Sequence, residues 1–248
     1  MKRPLLLRLV EDYWAILLLM FAWQAWVVIN SYNHIVMPTP VAVLHDLASH
    51  PGIYIDNVAI TLAIAIVGLV LGMLVGTSLA IAAWFSPVAS GLLNPLTVLF
   101  SSVPVVALIP VIARLLGYDT STVLAIVVII TFFPSFVFAS SGLRSPPPGS
   151  EDLLRVLGAS KLSLLTRLAF PSALPNLAIA FKLAAAHAIL AAMVAEFLMG
   201  TTGLGYLFSK TKSDFQTEQA FGVSIVATVI SAAAYLGAGW VERRVRER

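Results

Sequence analysis

Three ionisable residues, Lys182, His187 and Glu196, stand in or beside one apolar stretch at residues 177–198. A charge placed in lipid is costly and ordinarily marks an interior surface or a pathway. Their positions separate them. Lys182 lies close to the start of the stretch, where its aliphatic stem reaches back to the headgroups, so snorkelling accounts for it as well as a functional role does. Glu196 lies near the far end and is expected to stay in contact with water. His187 is deeper, among Ala184, Ala185, Ala186 and Ala188, where small side chains leave room for a cavity. A lining role on a pathway and a structural bond to another helix are both open for its imidazole. None of the three makes a nucleophile–base pair or a metal cluster, and His34, His45 and His50 lack ligand-like spacing and are expected to be solvated or interfacial. With no cysteine, disulfides, thiolate metal sites and a cysteine nucleophile are excluded. No chemistry at these residues is indicated.

The elements that must hold these residues are membrane spans. At 59% hydrophobic and 11% charged residues, with a mean hydropathy of +0.95, the chain cannot cover a soluble domain with polar surface. Apolar runs at 13–29, 58–83, 92–116, 122–140, 177–198 and 220–240 are each near or above the length needed to cross a bilayer. The expected fold is all-α and integral to the membrane, with about six spans in a single domain over 1–248: a tail and first span at 1–35, a core at 36–240 and a basic tail at 241–248. The first run follows Lys2, Arg3 and Arg8, but no small-residue cleavage site succeeds it, so it reads as an uncleaved span anchored by Trp14, Trp23 and Trp26. The third contains Pro95, Pro104 and Pro110 and is expected to kink or break. Gly68, Gly72 and Gly76 lay a smooth strip on the second, suited to close packing within the bundle ahead of a dimer seam.

Lys and Arg fall on one side of this arrangement. Lys2, Arg3 and Arg8, then Arg144, Arg155, Lys161 and Arg167, then Arg243, Arg244, Arg246 and Arg248 share a face if the spans are even in number. The opposite loops hold only Arg114, Lys210 and Lys212. Retention of basic loops in the cytoplasm places both termini there. The net charge of +3 is dispersed over loops facing lipid headgroups, so nucleic acid is not an expected partner.

The long polar loop at 142–176 is the sizeable segment on that face. Pro146, Pro147 and Pro148 forbid a helix at its start. Ser150 then reads as an N-cap, with Glu151 and Asp152 in the first turn, Leu153, Leu154 and Leu157 as an apolar stripe, and Arg155 on another face. Gly158, Ala159 and Ser160 interrupt that helix. A second runs from Lys161 until Pro171 and Pro175 punctuate the approach to the fifth span. The outcome is helix, turn, helix at the membrane surface.

The runs DLLRVLGAS at 152–160 and LAFPSALP at 168–175 resemble the coupling loop of binding-protein-dependent ABC importer permeases of type I. MPTP at 37–40, SVPVVALIP at 102–110, FFP at 132–134 and GLGY at 203–206 are similar to the nitrate, sulfonate and taurine branch of that family. Asp152, Leu153 and Leu154 stand where the family usually has Glu-Ala-Ala, a change that alters the fit to a partner without removing the loop. The resemblance implies a short helix seated in a groove of a separate ATPase, with Glu151, Asp152, Leu154, Arg155, Leu157, Gly158, Ala159, Ser160, Pro171 and Pro175 as coupling residues. His187, Glu196 and Pro104 are the candidates along the solute pathway. A second permease subunit, in the simplest case an identical one, ATPase subunits below and an extracytoplasmic binding protein above complete the expected assembly in a prokaryotic cell membrane. No Gly-x-x-x-x-Gly-Lys-Ser/Thr run occurs, so ATP and magnesium belong to the partner and no cofactor is expected on this chain. The resemblance points to a sulfonate, taurine or nitrate, with a pyrimidine vitamin precursor or riboflavin as the alternative. An ion-coupled secondary carrier would need a buried carboxylate and inverted repeats, and an intramembrane enzyme would need paired catalytic groups; neither pattern is evident.

Overall fold

The computed structural model describes residues 5–102 and 104–247, with side chains from Trp14 onward except at 94 and 96–102. Lys2, Arg3 and Arg248, and the side chain of Arg8, lie outside the described residues. Eleven α-helices and one π turn account for the secondary structure there, with no strand among the described residues. In chain order they are α1 (Leu5–Ile29), α2 (Pro40–Ser49), α3 (Pro51–Phe85), α4 (Pro87–Ser102), α5 (Val105–Leu116) and α6 (Thr120–Leu143). There follow α7 (Ser150–Val156), α8 (Lys161–Leu164), the π turn Leu165–Ala169, α9 (Phe170–Met199), α10 (Leu204–Ser213) and α11 (Thr217–Arg246). Four helical stretches are long and apolar enough to cross a membrane: Pro51–Phe85, Thr120–Leu143, Lys161–Met199 and Thr217–Arg246. Trp14–Ile29 and Val105–Leu116 are shorter apolar helices. The expected third span is divided into α4 and α5, with Pro104 as the N-cap of α5 and Pro95 and Pro110 accommodated inside α4 and α5.

The centre of the molecule is the pair α3 and α6. They run parallel, because Gly68 meets Val127, Gly72 meets Thr131, and Gly76 meets Phe132 and Ser135, in rising order on both helices. A Cβ on Gly72 would overlap the Thr131 hydroxyl, and one on Gly76 would overlap the Phe132 carbonyl. The absent side chains let the backbones approach until Thr131 Oγ1, which bonds the Val127 carbonyl of its own helix at 2.8 Å, also lies 3.1 Å from the Gly68 carbonyl. Between apolar helices in lipid such contact is held by van der Waals packing and interhelical hydrogen bonds, since burial from water supplies little. The strip therefore serves packing within this chain.

α9 lies antiparallel to α3 and α6, and α11 parallel to them. At one end Lys182 Nζ donates to Glu242 Oε2 at 3.0 Å, joining α9 to α11, and Gly142 of α6 abuts Ala173 and Asn176 of α9. At the other end Tyr54 Oη donates to Asp46 Oδ2 at 2.5 Å, joining α3 to α2, and Gly222 of α11 packs against the same phenol. Residues 142–176 and the C-terminal turns of α11 thus occupy one end of the bundle. The helices α2 and α10 lie at the opposite end. The sequence reading did not anticipate either; α2 starts where Thr39 Oγ1 accepts from the Ala42 N–H at 3.2 Å with Pro40 at its first turn.

Candidate functional site

Two regions collect the candidate residues: the surface helices at one end, and the α9 face with its capping loop. The first begins with an irregular passage through the three prolines. α7 opens one residue earlier than expected of a Ser150 cap, because Gly149, at φ +76°, occupies the N-cap and Ser150 enters the first turn. Its hydroxyl donates back to the Pro147 carbonyl at 2.5 Å. Only glycine adopts that left-handed geometry freely after consecutive prolines, which is why the cap moves.

α7 ends in a Schellman motif. Leu157 is the C-cap, Gly158 takes φ +78°, its N–H donates to the Arg155 carbonyl at 3.0 Å, and the Ala159 N–H donates to the Leu154 carbonyl at 2.9 Å. A Cβ at Gly158 would meet nothing within 4 Å, so the turn requires glycine for its backbone angle rather than for space. Ser160 then caps α8, its Oγ accepting from the Ser163 N–H at 3.2 Å. Leu153, Val156 and Leu157 project from α7 at 61%, 86% and 71% exposure, while Leu154 is half-buried beneath it. Arg155 Nη2 donates to Glu151 Oε1 at 2.6 Å across one turn, and Asp152 is exposed.

Pro171 and Pro175 do not end a helix. Helical structure continues from Lys161 to Met199, with Pro171 in the first turn of α9 and Pro175 inside it. The π turn immediately before them, where the Phe170 N–H reaches the Leu165 carbonyl, absorbs the misfit of the proline rings. The surface helix α8 is thereby continuous with the long apolar helix α9.

The second region corrects one expectation. Glu196 is fully buried and out of contact with water. Thr61 Oγ1, on α3, donates to its carboxyl group at 2.9 Å, the Gly205 N–H of α10 donates to Oε2 at 3.0 Å, and the Leu204 N–H donates to Thr61 Oγ1 at 2.9 Å. The cause is the GLGY run. A Cβ on Gly203 would overlap the Glu196 carboxyl group, and one on Gly205 would overlap the Met193 carbonyl, so the two glycines let the N-terminus of α10 settle directly on α9. Thr61, which the sequence reading passed over, is the other essential member; a lone threonine in an apolar run carries no signal of its own.

His187 lines a pocket of about 550 Å³ between α9 and α11, together with Met193, Ser224, Thr228, Ser231 and Tyr235. Thr228 Oγ1 donates to the Ser224 carbonyl at 2.8 Å and Ser224 Oγ to the Ala220 carbonyl at 3.2 Å. Their hydroxyl protons are therefore spent on their own helix. Lys182 does not line it, being held by Glu242 and lying over the Tyr235 ring at 4.8 Å. Pro104 is exposed at the break between α4 and α5 and is not part of either region. Among the described residues no group of three or more His, Cys, Asp and Glu side chains could hold a metal ion.

A bundle of long apolar helices, with a capped helix pair projecting from one end, has the form of a multi-pass membrane protein. The family described as "Binding-protein-dependent transport system inner membrane component" matches residues 68–247, and the chain belongs to that family. It is similar to the "Probable ABC transporter permease protein" of Haemophilus influenzae, at 29% identity over 96% of this chain and 97% of that one. It is also similar to the formylaminopyrimidine transport permease protein of Halalkalibacterium halodurans, at 29% identity over 78% of each chain. Among solved structures, an inward-facing methionine ABC transporter shares the fold at a TM-score of 0.66, covering 78% of this chain and 96% of the other at 17% identity. The protein is thus the permease subunit of an ABC importer, a transport subunit.

Proposed function

We propose that the permease takes its driving force from a separate ATP-hydrolysing subunit seated on α7, and passes a small solute delivered from outside by a binding protein. The observation that carries this reading is the exposed row Leu153, Val156 and Leu157 on a helix fixed at both ends, by Gly149 and by the Gly158 turn. A helix laid in a groove reads through such apolar anchors. Glu151, Asp152, Arg155, Ala159 and Ser160 frame the contact, and Pro171 and Pro175 lie on the continuous helix that carries its movement to the membrane. The basic residues at this end support placing it, with both termini, in the cytoplasm. ATP and magnesium belong to the partner. A second copy of this chain across the pathway completes the unit, the whole of 1–248 acting as one domain. Glu196 serves to close the outer end, while His187 faces the solute and Pro104 lies at the α4–α5 break beside its route.

The pocket favours the vitamin-precursor reading over the sulfonate one. Its lining is mostly apolar and no Lys or Arg contributes to it, which suits an uncharged heterocycle better than an anion.

The test is a mild-detergent pull-down of the tagged chain from native membranes, with co-purifying proteins identified by mass spectrometry. Recovery of a P-loop ATPase with the wild type and its loss with Leu157→Asp supports the reading. Recovery of the chain alone, with ATP-independent transport in vesicles, overturns it in favour of an ion-coupled carrier.

A further inference from the structure

A cleft of about 300 Å³ separates α7 and α8 from the last turn of α3 and the first turn of α4. Three cations enter it from three different elements: Arg144 caps the C-terminus of α6, Arg155 lies on α7 and Lys161 opens α8. One carboxylate, Glu151, faces them and is engaged by Arg155 at 2.6 Å. Three positive groups against one negative leave the lining with an excess of positive charge. Arg144 Nη2 donates to Ser90 Oγ at 2.6 Å, a bond that fixes the guanidinium at the rim of the cleft and uses one of its five donor hydrogens.

The opposite wall is apolar. Trp84 and Phe85 close α3 with their rings edge to face, centroids 5.1 Å apart, and Pro87 starts α4 beside them. The apolar runs of α3 and α6 both end here, at the depth where indole rings and basic side chains meet phospholipid headgroups. Guanidinium and ammonium groups converging beside an aromatic wall at that depth suit a phosphate ester, whose oxygens accept from both and whose attached carbon chain continues along the rings.

We propose that this cleft binds a phosphate group that bridges Arg144, on the transmembrane core, to Arg155 and Lys161, on the surface helices. Such a bridge ties α7 to α6 and to the α3–α4 corner, joining by a ligand what the chain joins only through the prolines at 146–148. Its consequence for coupling rests on the docking role of α7; the binding itself does not. The phosphate has two available sources, the headgroup of an anionic phospholipid and free phosphate in solution.

The experiment is native mass spectrometry of the purified full chain titrated with phosphatidylglycerol, with phosphatidylcholine and with inorganic phosphate, alongside thermal unfolding. The expected result is several-fold greater retention of phosphatidylglycerol than of phosphatidylcholine, reduced to parity in Arg144→Gln/Lys161→Gln. Glu151→Gln, which removes the opposing charge, should retain more than the wild type, a change of opposite sign that a folding defect does not produce. If phosphatidylglycerol shows no preference but millimolar inorganic phosphate raises the unfolding temperature of the wild type and not of the double variant, the site stands with free phosphate as its source. Equal lipid retention in all three proteins, with no effect of phosphate, overturns the proposal.

Discussion

Gly158 and Glu196 illustrate opposite demands on a single residue. At Gly158 the constraint is φ alone, so substitution acts through backbone strain of roughly 1–2 kcal/mol for an ordinary side chain and less for asparagine, which visits the left-handed region more readily. Gly158→Val should release the Schellman turn and lose the co-purifying ATPase, while Gly158→Asn should keep most of it, with both variants present at wild-type levels in the membrane. Equal recovery with valine and wild type would show that the turn is dispensable. At Glu196 the constraint is hydrogen bonding in a fully buried place. Glu196→Ala strands the Thr61 hydroxyl and the Gly205 N–H, at about 1–3 kcal/mol for each buried group left without a partner. Glu196→Gln keeps an acceptor. The alanine variant should unfold at a clearly lower temperature than the glutamine variant in detergent.

At the scale of elements, the α3–α6 contact is the most sensitive seam because no hydrophobic force in lipid compensates for a lost fit. Gly72→Leu must push α3 away from the Thr131 hydroxyl and the Phe132 backbone of α6, and overpacking of this kind costs ~1–3 kcal/mol or more. It should yield aggregated or unstable protein by size-exclusion chromatography. Gly52→Ala and Gly237→Ala, whose added methyl groups meet nothing within 4 Å, should elute and unfold like the wild type. The contrast separates close approach from glycine content. The Gly68, Gly72 and Gly76 strip was visible as a spacing in the sequence, but its partner was not: identical strips serve either a neighbouring helix or a second subunit. Val127, Thr131 and Ser135 on α6 decide it.

For the whole molecule, the alternation of helix directions puts residues 142–176 and the end of α11 together, the end that the proposed topology places in the cytoplasm. Fluorescent-protein fusions at the N- and C-termini should both be bright, and a periplasmic phosphatase fused within α10 should be active. A dark C-terminal fusion would invert the proposed topology. The ion pair of Lys182 with Glu242 at this end, and the burial of Glu196 against Thr61 at the other, pin α9 to its neighbours at two depths. Tilting of α9 by the surface helices would then carry α11 and α10 with it.

The sequence by itself determined the solvent, the approximate spans, the helix–turn–helix at 142–176 and the glycine at its turn. These follow from composition, from apolar run length and from local backbone chemistry, all of which act within a few residues. Helix continuity through Pro171 and Pro175 escaped it, since the compensating π turn has no residue signature. So did the state of Glu196. Whether a carboxyl group near the end of an apolar run meets water depends on what descends upon it, and here that is an α10 admitted by Gly203 and Gly205 onto a hydroxyl from residue 61. Only the tertiary structure brings residues that far apart in the chain into hydrogen-bonding distance, and only it shows which of the chain's charges already have partners.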